Sequence, residues 1–193
     1  MLTRLLIAYA SDHGTTRQVA AEVAAGASQV QGCLAEARDV EMLTTDDLRE
    51  RDALVLGSPV HMGGCHWAMK QFIDRTLGPL WMTDALEGKV GAVFATGSGG
   101  SGGGGAELNL LSMLSALTEL GLIVVPLPRS IPGNSRAGLH WGPVFPTENV
   151  SGRPQLVDPE LVTARLHGMH VARAARCLHS ETVFAAESAD GMR

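Results

Sequence analysis

Three hydroxyl side chains, Ser11, Thr15 and Thr16, flank Gly14 in the stretch YASDHGTT. The stretch ends an apolar run and opens a helix-like pattern. Free NH groups at the helix start and the hydroxyls can therefore face one anion, with Gly14 supplying the sharp turn. Phosphate suits such a loop, and no lysine is needed. The same hydroxyls, with Asp12, also suit a plain helix cap, so the loop alone leaves both roles open. A second stretch, GSPVHMGG, sets His61 between Pro59, which is expected to end a strand ladder, and the glycines Gly63 and Gly64. An imidazole there can exchange a proton near neutral pH or stand exposed at the mouth of a cleft. A third, ATGSGGSGGGGAEL, places seven glycines between Gly97 and Gly105. Such a run is either a spacer or a place where backbone NH groups approach a ligand closely.

Other chemistries find less support. Gly97, Gly99 and Gly102 satisfy G-x-G-x-x-G, but a dinucleotide fingerprint follows the first strand of its fold and these glycines follow the fourth. No Gly-Lys-Ser/Thr of a Walker loop is present. His167 and His170 stand three residues apart without a third ligand, so no metal site is expected. Cys33, Cys65 and Cys177 are odd in number and widely spaced, which indicates neither a disulfide framework nor a thiolate site. No Ser-His-Asp or Cys-His constellation emerges. Trp141, in GLHWGPVF, is an aromatic candidate for covering a bound substrate.

Five short apolar runs must carry these loops: residues 4–10, 33–40, 53–59, 90–96 and 121–127. Three of them are apolar throughout, and such continuous apolarity suits parallel strands buried on both faces. Helical spacing follows the first run at Ala20, Val23, Ala24 and Ala27, and the third at Met69, Phe72, Ile73 and Leu77. It follows the fourth at Leu110, Met113, Leu114, Leu117 and Leu120. TTDDLRE reads as a short capped helical turn, and a last helix is predicted from Asp158 as N-cap and Pro159 to about Leu178. The alternation predicts a doubly wound α/β fold, a five-stranded parallel sheet in the order 2-1-3-4-5 with helices on both faces. In that order the three loops gather at the carboxyl edge, at the switch point between strands one and three. Residues 128–157, rich in proline and glycine, form a long connection that such a fold keeps only for a purpose. One domain is expected over residues 1–179, with residues 180–193 as a flexible tail.

Length and charge bound the partners. The 193 residues are 45% hydrophobic and carry a formal charge of -5. That suffices for one buried core and leaves no basic footprint for nucleic acid. No run approaches a membrane span or a signal-peptide core, so a cytoplasmic protein is expected.

Taken together, AYASDHGTTRQVA, ALVLGSPVHMGGCHWAMKQFIDRT, GPLWMTDALEGKVGAVFATGSGGSGGG and LGLIVVPLP resemble the flavodoxin-fold NAD(P)H:quinone oxidoreductases of the WrbA type. The likeness covers most of residues 1–128. It implies a flavodoxin-like fold and flavin mononucleotide (FMN) as cofactor. NADH or NADPH would be the hydride donor and a small quinone the acceptor, the two using one face in turn. Ser11, His13, Gly14, Thr15 and Thr16 would hold the phosphate. Pro59, Val60, His61, Met62 and Gly63 would line one edge of the flavin ring, and Thr96, Gly97, Ser98, Gly99 and Gly100 would cover the other side. Trp81 matches a tryptophan placed near the flavin of a neighbouring subunit, which implies a homodimer or homotetramer.

His61 is the expected catalytic residue, tuning the flavin or passing a proton beside its N1 and O2. The chain departs from the family pattern, which has an arginine and an aromatic at His61 and Met62 and a histidine near Glu119 and Leu120. The family also has a longer connection between strands two and three. The rival readings are a one-electron carrier flavodoxin and a non-enzymatic flavin-binding regulatory protein. A carrier tends to be strongly acidic and to clamp its flavin between aromatics, whereas this chain has one tyrosine, Tyr9, inside a strand.

Overall fold

Side chains alternate across each strand, and in the central strands of the sheet both sets are apolar. From β1 (Thr3–Tyr9) and β3 (Ala53–His61), Leu6, Leu54 and Leu56 point to one face of the sheet, Leu5, Ile7 and Val55 to the other. β5 (Val90–Thr96) divides likewise, with Val93 on the first face and Phe94 on the second. The structure, a computed structural model, describes residues 2–97, 104–133, 138–158 and 161–178.

The first face is covered by Leu48 of α2 (Thr45–Arg49), Met69 and Phe72 of α3 (Trp67–Phe72), and Leu110, Met113 and Leu117 of α5 (Ala106–Glu119). Between α3 and α5, a π-helical turn at Ile73–Leu77 leads into α4 (Gly78–Trp81). The second face is covered by α1 (Thr15–Ser28) and α6 (Val162–Leu178), which pack together through Val19, Val23, Ala164 and Val171. Each fully buried Leu or Phe on these faces stabilises the fold by about 1.5–3 kcal/mol.

β1 pairs in parallel with β2 (Cys33–Asp39) on one side and β3 on the other, and β3 pairs with β5. This is the expected 2-1-3-4 order. The fifth lane differs from the expectation of one strand over 121–127. β6 is only Ile123–Val124, opposite Val90 and Gly91. The ladder reaches Val125, whose NH donates to Gly91 O at 2.8 Å, and breaks at Pro126, which has no NH to give. The upper half of the lane is filled from the long connection, by β8 (Gly142–Phe145) opposite Ala95 and Thr96. β8 forms a hairpin with β7 (Gly138–Leu139), and a second hairpin follows, β9 (Thr147–Val150) with β10 (Arg153–Leu156).

The last helix starts at Val162, after Leu161 at positive φ, so Asp158 does not cap it as expected; Pro159 lies outside the described residues, and the helix ends at Leu178 as expected. Residues 180–193 also lie outside them. Among the described residues no helix is long and apolar enough to cross a membrane.

Candidate functional site

The loop after β1 turns into α1 through Gly14, whose φ of 89° lies in the left-handed region that favours glycine. The Ser11 hydroxyl accepts from Gly14 N at 3.1 Å and Arg17 N at 3.3 Å. Those bonds occupy two donors and leave the NH groups of Thr15 and Thr16 as the free donors of the first turn. A cleft of about 540 Å³ opens here, lined by Ser11, Asp12, His13, Gly14, Arg17, Gly152 and Arg153. The β9–β10 turn therefore closes over the loop and brings a second guanidinium. Helix start, hydroxyl and two arginines together suit a phosphate. Neither arginine was singled out from the sequence, because nothing in the spacing of residues 17 and 153 relates them.

Thr16 was expected to hold the phosphate with its side chain. Its hydroxyl is instead buried and lies 2.7 Å from that of Thr96, also buried. The pair ties the first loop to the end of β5, and only the backbone of Thr16 remains for a ligand.

β3 does not stop at Pro59. That residue stays in register with Thr96, and the strand runs on to His61 and doubles back as β4 (Gly64–Cys65). A proline at the end of a ladder forfeits only its own NH. Val60 pairs with Cys65 and His61 with Gly64, so Met62 and Gly63 form the turn, both at positive φ, and the Met62 side chain is fully exposed. Asn109 supports this exit. Its Nδ2 donates to Ser58 O and Pro59 O, both at 3.3 Å, while its buried Oδ1 has no partner among the described residues.

The end of the glycine run meets the same turn. Gly105, at φ 87°, starts α5, and a Cβ there would collide with the backbone of Gly63. Gly97, at φ 105°, donates its NH to Phe145 O at 3.0 Å. Ser98, Gly99 and Gly100 lie outside the described residues.

Asp12, His61 and His66 converge between these loops. His66 is buried, and its Nδ1 accepts the NH of Ala68 at 3.1 Å, capping α3. An accepting Nδ1 carries no proton, so Nε2 does, and it donates to Asp12 Oδ1 at 3.0 Å and Oδ2 at 3.1 Å. The half-exposed His61 has its Nε2 3.7 Å from Asp12 Oδ2 and its ring edge-on to His66, centroids 4.7 Å apart. Burial, and then the His66 and His13 imidazoles, hold His61 below the usual histidine pKa, while Asp12 pulls it up. The three polar atoms lie within 4.8 Å of one another, close to a metal-ligand spacing. With its proton on Nε2, however, His66 offers no lone pair to a cation, and the cluster is a hydrogen-bonded one.

Two expected aromatics stand apart from the cleft. Trp81, half-exposed, lines a groove of about 300 Å³ with Ile73, Leu77 and Glu119, next to the exposed Met82. Trp141 donates from Nε1 to Glu107 at 3.1 Å and packs on the core, which pins the β7–β8 hairpin to the first turn of α5.

Residues 6–102 match the flavodoxin domain family. A protein of Paracoccus denitrificans (strain Pd 1222) named NAD(P)H dehydrogenase (quinone) is 34% identical over 92% of this chain and 96% of its own length. A flavodoxin of Aquifex aeolicus (strain VF5) is also 34% identical, but over 48% of this chain and 49% of its own. Among solved structures, the flavodoxin, WrbA-like protein from Agrobacterium tumefaciens aligns with a TM-score of 0.69 at 28% identity. That alignment covers 91% of this chain and 98% of that one.

Proposed function

Since the chain belongs to the flavodoxin domain family and, within it, to the NAD(P)H dehydrogenase (quinone) relatives, we propose that it is an FMN-dependent NAD(P)H:quinone oxidoreductase. The observation that carries this reading is a match to a relative of that name that is 34% identical and spans 92% of this chain and 96% of the relative's length. The Aquifex flavodoxin matches over half the chain only, so a one-electron carrier is the weaker reading.

The residues fit the cofactor. A cleft bounded by a helix start and two arginines suits a terminal phosphate, and the backbone contact of Gly105 with Gly63 suits loops closing on a flat ring. Ser11, with the backbones of His13, Gly14, Thr15 and Thr16, would hold the phosphate. Pro59, Val60, His61, Met62 and Gly63 would line one edge of the ring, and Gly97, with Ser98, Gly99 and Gly100, the other side, the buried Thr96 supporting them through its bond to Thr16. Bound there, FMN supplies the acceptor and donor of a hydride. The protein positions NADH or NADPH, and then the quinone, over one open face, and His61 holds the proton that the quinone oxygen needs. Trp81 and Met82 offer an apolar surface for assembly as a dimer or tetramer.

Purified protein should take up FMN and reduce benzoquinone with NADH or NADPH, and initial-rate plots at several quinone concentrations should be parallel lines. Flavin uptake with negligible oxidation of either nicotinamide would favour the carrier instead.

A further inference from the structure

We propose that Asp12 is the positioning residue for His61, and that the capping duty of His66 leaves the charge of Asp12 available for this. The inference rests on the oxidoreductase reading for its purpose but not for its geometry.

Asp12 bridges two histidines with unequal claims on it. His66 spends Nδ1 on the NH of Ala68 and meets the carboxylate through Nε2. Placing a proton on Nδ1 would set two donors face to face and break the cap of α3, so His66 donates a hydrogen bond without bringing a positive charge. The carboxylate charge is then uncompensated by His66, and Nε2 of His61 lies 3.7 Å from Oδ2. A carboxylate facing Nε2 favours the tautomer with its proton there. Nδ1, across the ring and with no partner among the described residues, becomes the atom free to take and return a proton. This is the logic by which a carboxylate orients a catalytic imidazole, built here from two loops and a helix cap.

The edge-on contact of the two rings limits how His61 can turn, since rotating away from Asp12 would break the packing against His66. The titratable groups facing His61 are Asp12 and His13 from the loop after β1 and His66 from the start of α3. Asp12 alone among them favours the charged imidazole.

The test follows the titration of the seven histidines by NMR in the flavin-loaded protein, with His61 assigned through His61→Gln, beside the pH profile of kcat for benzoquinone reduction. Asp12→Asn keeps an acceptor for His66 and removes the charge. It should lower the His61 midpoint by about half a pH unit or more and move the His61-dependent limb of the profile the same way. His66→Asn keeps a capping side chain, and because His66 brings no charge it should shift the midpoint far less than Asp12→Asn does. A purely structural Asp12 would move neither, so an unshifted His61 in folded, flavin-loaded Asp12→Asn overturns the proposal. If that variant does not fold, Asp12→Ser gives the same readout. Should the wild-type protein reduce no quinone, the oxidoreductase reading fails, while the His61 titration still decides the role of Asp12.

Discussion

The hydroxyls of Thr16 and Thr96 meet at 2.7 Å, across 80 residues of sequence, with both side chains buried. The contact fastens the start of α1 to the end of β5, so the cleft floor and the approach to the glycine run share one bond. Thr16→Val should leave the Thr96 hydroxyl buried without a partner and cost about 1–3 kcal/mol in urea unfolding. The double valine variant should cost less than the two single ones summed. Full stability of Thr16→Val combined with a large loss of FMN affinity would return the hydroxyl to the phosphate.

Ser11 supports the cleft through the NH groups of Gly14 and Arg17. Ser11→Ala is expected to weaken FMN binding by about 0.5–1.5 kcal/mol for each neutral bond lost. Arg153→Ala should weaken it more in low salt than in high, because its guanidinium acts largely through charge. A flavin fluorescence titration at two ionic strengths separates these effects, and unchanged affinity in both variants would move the phosphate elsewhere.

Gly105→Ala tests the close approach of the loops. The added methyl meets backbone at Gly63 and sits at a φ of 87°, so it can be relieved only by moving the turn next to His61. Stability should fall by more than about 1 kcal/mol, with a parallel fall in FMN affinity. An unaltered melting temperature would show that the turn yields freely.

His167 should make the fold acid-sensitive. It is fully buried, and neither ring nitrogen has a hydrogen-bond partner of good geometry among the described residues. Burial first, and His170 second, push its pKa down to about 4, the Val93 backbone offsetting only part. Between that value and the ordinary 6.5 the unfolded chain binds the proton and the folded chain does not. Stability is therefore complete above pH 6.5 and is lost on acidification towards pH 4, by on the order of 3 kcal/mol. His167→Leu should flatten this slope in denaturant titrations at several pH values; a slope equal to that of the wild type would assign it to other groups.

What the sequence made legible was whatever a single local pattern encodes. The runs at 4–10, 53–59 and 90–96 became β1, β3 and β5 because strands buried on both faces are apolar nearly throughout, and the run at 33–40 became the half-exposed edge strand β2. The upper fifth lane was hidden, since Pro126 ends one segment and the replacement arrives from residues 142–145. At the site, Ser11 and Gly14 were readable as a turn into a helix. Asp12 with His66, and Thr16 with Thr96, were not: each pair is joined by loops that meet only at the sheet edge, and no periodicity spans them. The glycine run announced a close approach, but only the meeting of Gly105 with Gly63 identifies what is approached.

The divided fifth lane bears on the order in which the chain reaches its native state. β2, β1, β3 and β5 can assemble through neighbouring crossovers, and β6 extends them at Val90 and Gly91. Ala95, Thr96 and Gly97 must wait for residues 142–145, which return to the sheet only after the chain has left it beyond Val125. Loop closure delays such non-local pairing. A refolding chain thus builds its parallel core before the rim of its cleft, and competence to hold a ligand arrives as a later kinetic phase than the burial of Leu56 on the first face.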